Sequence, residues 1–249
     1  MGLSLSIQQP EHAPWLGFFH KMDLCDVTVY FDTVQYKKRY FENRNRIRTA
    51  TGWQWVTVPV LTRGRFTQRI ADVALCDDAP WRRKYLGALR HNYAATPFFH
   101  EIFCAVRDIV QSRRTLLCDL NIDLIEFVRQ YLGLAGRTVR ASTLPPFSTS
   151  STELLHDICR HMGARTYVCG VSGPDYMDMD RFAASGVAVQ TVRYQCQPYT
   201  QAFAGFQPGM SVLDALFNHG PRALAILRGN AAHTGATQEE TPCPNRMRD

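Results

Sequence analysis

Leu3-Ser4-Leu5-Ser6-Ile7-Gln8-Gln9-Pro10, then Pro14-Trp15-Leu16-Gly17-Phe18-Phe19-His20-Lys21-Met22, then Val27-Thr28-Val29-Tyr30-Phe31-Asp32 is the stretch that decides the fold. Leu3 to Ile7 alternates apolar residues with serine, the period of a strand with one buried face, and Gln8-Gln9-Pro10 turns the chain. Pro14 at a helix start, followed by Trp15, Leu16, Phe18, Phe19 and Met22, gives an amphipathic helix of about three turns. Val27 to Phe31 is the next strand. The three pieces make a βαβ unit, and Asp32 falls where its second strand ends, the position at which open α/β sheets usually meet ligands.

The same periodicities extend the α/β reading along the chain. Trp53 to Val60 is strand-like, with Pro59 marking an edge or an end. Trp81–Tyr93, Pro97–Val110 and Leu116–Leu132 carry helical spacing, closed by Gly133, so the middle of the chain is a helical block. The cluster Thr149-Ser150-Ser151-Thr152-Glu153 caps a helix through Met162. Tyr167–Val171 and Val187–Tyr194 are strands around a helix at Met177–Ala184, and Ser211 caps Val212–Phe217 before Gly220-Pro221. The expectation is one α/β domain over residues 1–229, or two intimate lobes over 1–140 and 141–229. The polar run 230–249 reads as a flexible, disordered tail.

With 249 residues, 45% hydrophobic and 20% charged, the chain has the profile of a globular protein, which excludes disorder, collagen and small disulfide scaffolds. No apolar run approaches the ~20 residues a bilayer crossing needs, and Met1 to Ser6 lacks the charged start of a signal peptide. A cytoplasmic protein with no membrane role is expected. The eight cysteines are scattered, so reduced and mostly buried thiols are expected.

Residues 1–140 hold 20 Lys+Arg against 13 Asp+Glu, and Lys37, Lys38, Arg39, Arg44, Arg46 and Arg48 face Glu42 alone. Such a run is often only a solvated loop. Here Asn43 and Asn45 interleave with Arg44 and Arg46, offering planar donors for phosphate or carboxylate, while Tyr36, Tyr40 and Phe41 supply rings for stacking. Other motifs fail. Gly170-Val171-Ser172-Gly173 lacks the final glycine of a nucleophile elbow because Pro174 stands there. His156 and His161 are five apart, and no metal site is expected. Neither G-x-x-x-x-G-K-[ST] nor G-x-G-x-x-G occurs, so phosphate must be held by side chains. Cys169 at a strand end is a candidate nucleophile or a packed small hydrophobe. His12 and His91 are candidate acid/bases or satisfied structural histidines.

Read together, Ile7-Gln8-Gln9-Pro10-Glu11-His12-Ala13-Pro14-Trp15-Leu16-Gly17-Phe18-Phe19-His20-Lys21 resembles the opening of the WbqC-like family, I-x-H-Q-P-x-Y-L-P-W-x-G-Y-F-x-K. Phe31-Asp32-Thr33-Val34-Gln35-Tyr36 is similar to its L-D-D-V-Q-F, Phe41 to Arg48 to its F-x-N-R-N-x-I-K, and Trp53 to Val60 to its W-x-W-L-T-V-P-V. Trp81 to Tyr93, the Gly170 to Tyr176 turn, Pro198-Tyr199-x-Gln201 and Ser211 to Gly220 agree as well. The chain departs from the pattern at Gln8 and Tyr85, where histidines are usual, and at Thr33, where an aspartate is. If those histidines are general bases, His12 or His91 takes their place here, or the chain acts by positioning, or it takes a different substrate.

The family is met in gene clusters for O-antigen, other surface glycans and natural products. The resemblance therefore implies a transferase acting in the modification of activated amino sugars or amino-acid-derived intermediates, and the basic N-terminal half, suited to a phosphate-bearing donor, points to an acyl or aminoacyl transferase or an amide-forming enzyme. Its donor would be a thioester on coenzyme A or on the phosphopantetheine arm of an acidic carrier protein, and its acceptor a small amine or amino sugar, with no tightly bound cofactor. In that reading Asp32, His12, His91 and Cys169 are catalytic. Gln8, Trp15, Gln35, Asn43, Arg44, Asn45, Arg46, Arg48, Tyr93 and Tyr176 bind substrate. The βαβ start also fits a nucleotidyltransferase-like or nucleotide-sugar-modifying enzyme with phosphate at a helix N-terminus, although the H-x-G-H signature is missing. An RNA-binding module, with Tyr36 to Arg48 as its charged aromatic face, is a third reading, disfavoured because the basic stretch is short.

Overall fold

The computed structural model describes residues 2–77, 80–149 and 151–229. The opening reading holds: strand β1 (Leu3–Gln8), helix α1 (Leu16–Asp23) and strand β2 (Val27–Tyr30) form a βαβ unit, with β1 and β2 parallel from Leu5↔Val27 to Gln8↔Tyr30. Three further parallel strands complete the sheet. These are β5 (Arg137–Arg140), β6 (Ala164–Gly170) and β7 (Ala188–Val192), in the order β5-β2-β1-β6-β7. Strand order therefore reverses between β1 and β6, the topological switch point at which doubly wound sheets open a crevice beyond their carboxyl ends.

The alternation of β1 and β2 sorts the sheet's faces. Leu5, Ile7, Val27 and Val29 pack into a cluster with Leu155, Ile158 and Cys159 of α5 (Ser151–His161) and with Phe182 of α6 (Met179–Ala184). Ser6 and Thr28 point the other way and share a hydrogen bond of 3.1 Å, and the Tyr30 hydroxyl donates to Glu126 at 2.7 Å. That second face is covered by the larger core, built from α1, the helical block α2 (Trp81–Tyr93), α3 (Phe99–Val110) and α4 (Leu117–Tyr131), and the closing helices α7 (Val212–His219) and α8 (Ala223–Arg228).

Two strands depart from the sequence reading. The cationic run expected as a loop contains β3 (Arg44–Thr49), which pairs antiparallel with β4 (Gly52–Thr57) as a ribbon outside the main sheet. Its period of two is real: Asn45 and Ile47 are buried, while Arg44 and Arg46 lie on the opposite side. Strand β5 falls in a stretch after Gly133 given no assignment, and α8 follows the Gly220-Pro221 stop. Among the described residues the cysteines are free thiols, with Cys25, Cys118, Cys159 and Cys169 buried, and no helix is long and apolar enough to cross a membrane. The expected tail, Cys243 and Ser150 of the capping cluster lie outside the described residues.

Candidate functional site

The loop leaving β1 carries Glu11 and His12, and the segment 41–48 holds that loop in place. His12 N donates to the Phe41 carbonyl at 2.8 Å, and Asn45 Nδ2 donates to the carbonyls of His12 and Ala13 at 3.1 and 3.0 Å. Ala13 needs the clamp because its φ is +40°, in the left-handed region that costs a residue with a Cβ about 1 kcal/mol. Ser211 adds its hydroxyl to the Ala13 carbonyl and its amide to that of Arg46. Asn43 Nδ2 donates to the Val58 carbonyl at 2.9 Å. The two asparagines expected to grip an anion spend their amides on the backbone.

Asn121 of α4 draws the next two pieces together. Its Nδ2 donates to the carbonyls of Pro10 and Glu42, at 2.8 and 2.7 Å, so Glu11 and Glu42 each adjoin a carbonyl held by one amide. With Nδ2 so occupied, Asn121 Oδ1 must accept from His12 Nδ1–H at 2.9 Å, which leaves His12 Nε2 to accept from the Tyr85 hydroxyl at 3.1 Å. Full burial lowers the His12 pKa to about 4, against the pull of the Asn121 bond. His12 is a neutral, doubly bonded ring that holds the loop, with no spare lone pair for proton abstraction. Its partner Tyr85 occupies one of the positions that depart from the family pattern.

The carboxyls carry the unusual electrostatics. Glu42 is fully buried, and neither oxygen makes a well-formed hydrogen bond, although the amides of Glu42 and Lys37 lie near enough to act on it. Burial pushes its pKa up to about 7, although the Lys37 charge and the amides of Glu42 and Lys37 pull it down. Burial first, and then the Glu42 charge, push Glu11 up to about 7, with Lys21 of α1 opposing. Burial is the main cause at both carboxyls, and the Glu42 charge adds to it at Glu11, so near neutral pH each is poised between its acid and its carboxylate form. Lys21, lowered by burial, faces Glu11 and the thiol of Cys169. Tyr36 completes the group: burial and then Glu42 raise its hydroxyl to about 12, and Arg44 opposes. Glu11, Glu42, Lys21 and Tyr36 were not singled out as catalytic from sequence. The signal available was only that two of the matched motifs each contain a glutamate.

Cationic groups stand beside the pair. A cavity of about 400 Å³ is lined by Gln35, Tyr36, Lys37, Lys38, Arg65 and Phe66, where the loop after β2 zips against residues 61–72. Gln35 Nε2 donates to the Phe66 carbonyl, and the Phe66 ring is 73% exposed beneath the Lys38 ammonium. On β3, Arg44 lies 4.1 Å over Trp55, and Arg46 lies 4.5 Å over Trp53. No carboxylate pairs with either among the described residues, and burial and then the Arg44 charge lower the Arg46 pKa. Two stacked, acid-free guanidiniums form an anion-receptive pair.

Several expected site residues serve the scaffold instead. Asp32 is fully buried, but Ser142 N and Oγ fill its oxygens at 2.9 and 2.6 Å, and its charge is felt by Cys118, Arg140 and Arg69 rather than by Arg44 or Arg46. It ties β2 to the turn after β5. Replacing Asp32 with Asn orphans one Ser142 donor, so stability should fall by about 2 kcal/mol with no change in any pH–rate profile. An altered profile in the folded variant would return Asp32 to the chemistry. Arg48 gives its guanidinium to the carbonyls of Thr49, Gly52, Ala204 and Gly205. Tyr93 is buried between Asp214 and the Arg48 amide. Cys169 is buried, burial raises its thiol, and a Cβ on Gly173 would sit 2.5 Å from Sγ, so the turn closes on it as on a small hydrophobe. His91 is exposed in the last turn of α2 and shares no hydrogen bond or ring contact with the other candidates. Gln8 is buried, its amide 3.4 Å from the Phe18 carbonyl, and Trp15 packs edge-on against Tyr194. Tyr176 is 58% exposed on the turn beyond β6, within electrostatic range of Cys169.

A model of the WbqC-like protein family matches residues 9–226. The chain belongs to the WbqC-like family. An uncharacterized protein of Mycobacterium tuberculosis H37Rv, Rv1507c, is 35% identical over 226 residues, covering 90% of this chain and 97% of its own length. No solved structure matches the chain. In this WbqC-like protein the matched F-x-N-R-N segment is first a clamp on the loop after β1. Its glutamate, Glu42, and the loop's Glu11 are the groups whose chemistry the clamp sets.

Proposed function

We propose that the protein is an acyl or aminoacyl transferase that forms an amide from a thioester donor, carried on phosphopantetheine or coenzyme A, and a small amine or amino sugar, in natural-product or surface-glycan biosynthesis. The observation that carries this reading is two neighbouring carboxyls, Glu11 and the fully buried Glu42, both raised toward 7 by burial, with Lys37 acting on Glu42 and two guanidiniums nearby that no carboxylate pairs among the described residues. Lys37, Lys38, Arg65 and the Arg44–Arg46 pair suit the donor's phosphate, and Tyr36 and Phe66 suit its apolar arm or base. As the amine nitrogen bonds to the thioester carbon, the ionised carboxyl of the pair takes the amine proton. The C–S bond breaks, and the protonated carboxyl returns its proton to the leaving thiolate, so one proton moves in and one out. Holding amine against thioester supplies much of the rate without a strong base.

Mass spectrometry of acyl-loaded carrier protein or acyl-coenzyme A incubated with a panel of amines tests the reaction. The expected result is amide product with stoichiometric free thiol. Unchanged donor across the panel, with folded protein, counts against it. Replacing Arg44 and Arg46 together with Gln should raise the donor KM by about 100-fold with kcat little changed, since charge-assisted bonds contribute about 1.5–3 kcal/mol each to ground-state binding.

One observation favours a second reading. The β5-β2-β1-β6-β7 order, with its switch between β1 and β6, is an arrangement used to bind nucleotides. Titration with nucleotides and nucleotide sugars separates a nucleotide-acting enzyme from the thioester reading. An RNA surface has less support, because the rings of Trp53 and Trp55 are already covered by the chain's own guanidiniums.

A further inference from the structure

On α2, a second cationic feature lies outside the site just described. A groove of about 670 Å³ runs between α2 and α3, lined by Pro80, Leu86, Gly87 and Phe103 and by the guanidiniums of Arg82, Arg83, Arg90 and Arg107. Arg82 is taken up by Asp77 and the Val110 carbonyl, and Arg107 by its neighbour Asp108. Arg83 and Arg90 are exposed and have no carboxylate partner among the described residues, and Arg90 lies 5.1 Å over the Phe103 ring. Helix α2 itself, Trp-Arg-Arg-Lys-Tyr-Leu-Gly-Ala-Leu-Arg-His-Asn-Tyr, contains no acidic residue.

Gly87 is the independent clue. A glycine inside a helix costs about 1 kcal/mol relative to alanine, and here the fold demands nothing of it: a Cβ at Gly87 would meet no atom within 4 Å. The missing side chain leaves space that belongs to the groove. A groove widened by glycine, with the edges of the mostly buried Leu86 and Phe103 at its floor and two exposed guanidiniums at its rim that have no carboxylate partner among the described residues, suits an amphipathic helix with acidic flanks. A nucleic-acid backbone would gain from the arginines and nothing from Leu86 and Phe103.

We infer that the α2–α3 groove docks an acidic amphipathic helix of the donor's carrier protein. This rests on the thioester reading for the partner's identity, but its binding step stands apart from the chemistry. Through Tyr85, whose hydroxyl donates to His12, the same helix reaches from the groove to the loop that bears Glu11. Electrostatic complementarity at such a rim accelerates encounter and selects the partner's charge.

The test uses the full chain and a fluorescein-labelled 18-residue helical peptide with Leu on one face and Glu along both flanks. The same peptide with Lys for Glu, and a single-stranded RNA oligonucleotide, serve as comparisons. The Glu peptide should bind, with affinity falling as salt rises. Affinity should drop at least tenfold in Arg83→Glu/Arg90→Glu and in Gly87→Leu, whose side chain fills the groove without touching the fold. Gly87→Leu should melt no lower than the parent chain, which separates a blocked groove from a damaged one. Equal binding by parent and both variants, equal binding of the Lys peptide, or binding of the RNA alone overturns the inference. Turnover is scored separately: failure of every donor and amine would remove the transferase reading while leaving the peptide result standing. If transfer does occur, the groove variants should slow it from carrier-bound donor and spare it from acyl-coenzyme A.

Discussion

Replacing Asp214 with alanine should lower the melting temperature by about 10 °C, from a loss of about 3–5 kcal/mol at 2–4 °C per kcal/mol for a chain of this size. Asp214 is fully buried at the start of α7 and accepts three hydrogen bonds, from the Tyr93 hydroxyl at 2.9 Å and from the Tyr199 hydroxyl and Gln201 Nε2, both at 2.8 Å. Burial raises its pKa, while those donors and the Arg48 charge pull it down. Alanine would leave three buried donors unmet, each costing about 1–3 kcal/mol before relaxation. The loss would spread, because Tyr93 also receives the Arg48 amide and Gln201 also holds the Gln207 backbone. Asp214→Asn keeps the shape but turns an N–H toward a donor, and should cost about half as much. Calorimetry reads both, and a shift below about 2 °C in the alanine variant would mean that the network does not hold α7 to the ribbon.

Glu42→Gln should show the opposite pattern, losing function while gaining stability. If the Glu11–Glu42 pair passes protons between amine and thiolate, turnover should fall by 10²–10⁴-fold, the range for loss of a general acid–base group. Stability follows from the sign of the shift. A carboxyl raised from 4.5 to about 7 by folding binds more protons in the native state, so its contribution is lost as pH rises between those values. The loss reaches roughly 3 kcal/mol by pH 8. Glutamine cannot ionise, so the variant should melt higher than the parent above pH 7 and much like it near pH 4. His12, lowered from 6.5 to about 4, works in the other direction: the unfolded state binds its proton more readily, and stability rises with pH across that window. In the parent the falling slopes of Glu42 and Glu11 should outweigh the rising slope of His12 between about pH 4.5 and 6.5, and in Glu42→Gln, with one falling slope gone and the Glu42 charge removed from Glu11, that decline should flatten. Melting curves from pH 4 to 8 check this. A Glu42→Gln variant destabilised at every pH would remove the carboxyl from the account.

The βαβ core was legible because its signals are local: alternating Leu3 to Ile7, the apolar face of α1 and the β-branched run of β2 each satisfy their own period. The strand β5 was not, since Arg137-Thr138-Val139-Arg140 is four residues at a sheet edge and too short to show alternation against its charges. In β3 the alternation was present but masked by arginine. Its outward guanidiniums are stabilised by Trp53 and Trp55 of the partner strand, a pairing that only register supplies.

The site was legible in place but not in person. The strand-end rule located Asp32, yet Ser142, a hundred residues on, consumes its oxygens. His12 looked like a base until Asn121, another hundred residues away, fixed its tautomer. Glu11 and Glu42 carry no motif-level signal of their own. What sets them apart is their neighbouring placement, Glu42 fully buried and Glu11 half-buried, held by one asparagine amide gripping the carbonyls of Pro10 and Glu42.

The direct measurement of that arrangement is a carbon-13 titration of the glutamate side-chain carboxyls by NMR, with Glu11 and Glu42 assigned from Glu11→Gln and Glu42→Gln. At least one of the two should titrate with an apparent midpoint near 7, and removing Glu42 should bring Glu11 down toward the ordinary range. Both carboxyls titrating near 4.5 in the parent chain would contradict the account, whatever reaction the protein proves to catalyse.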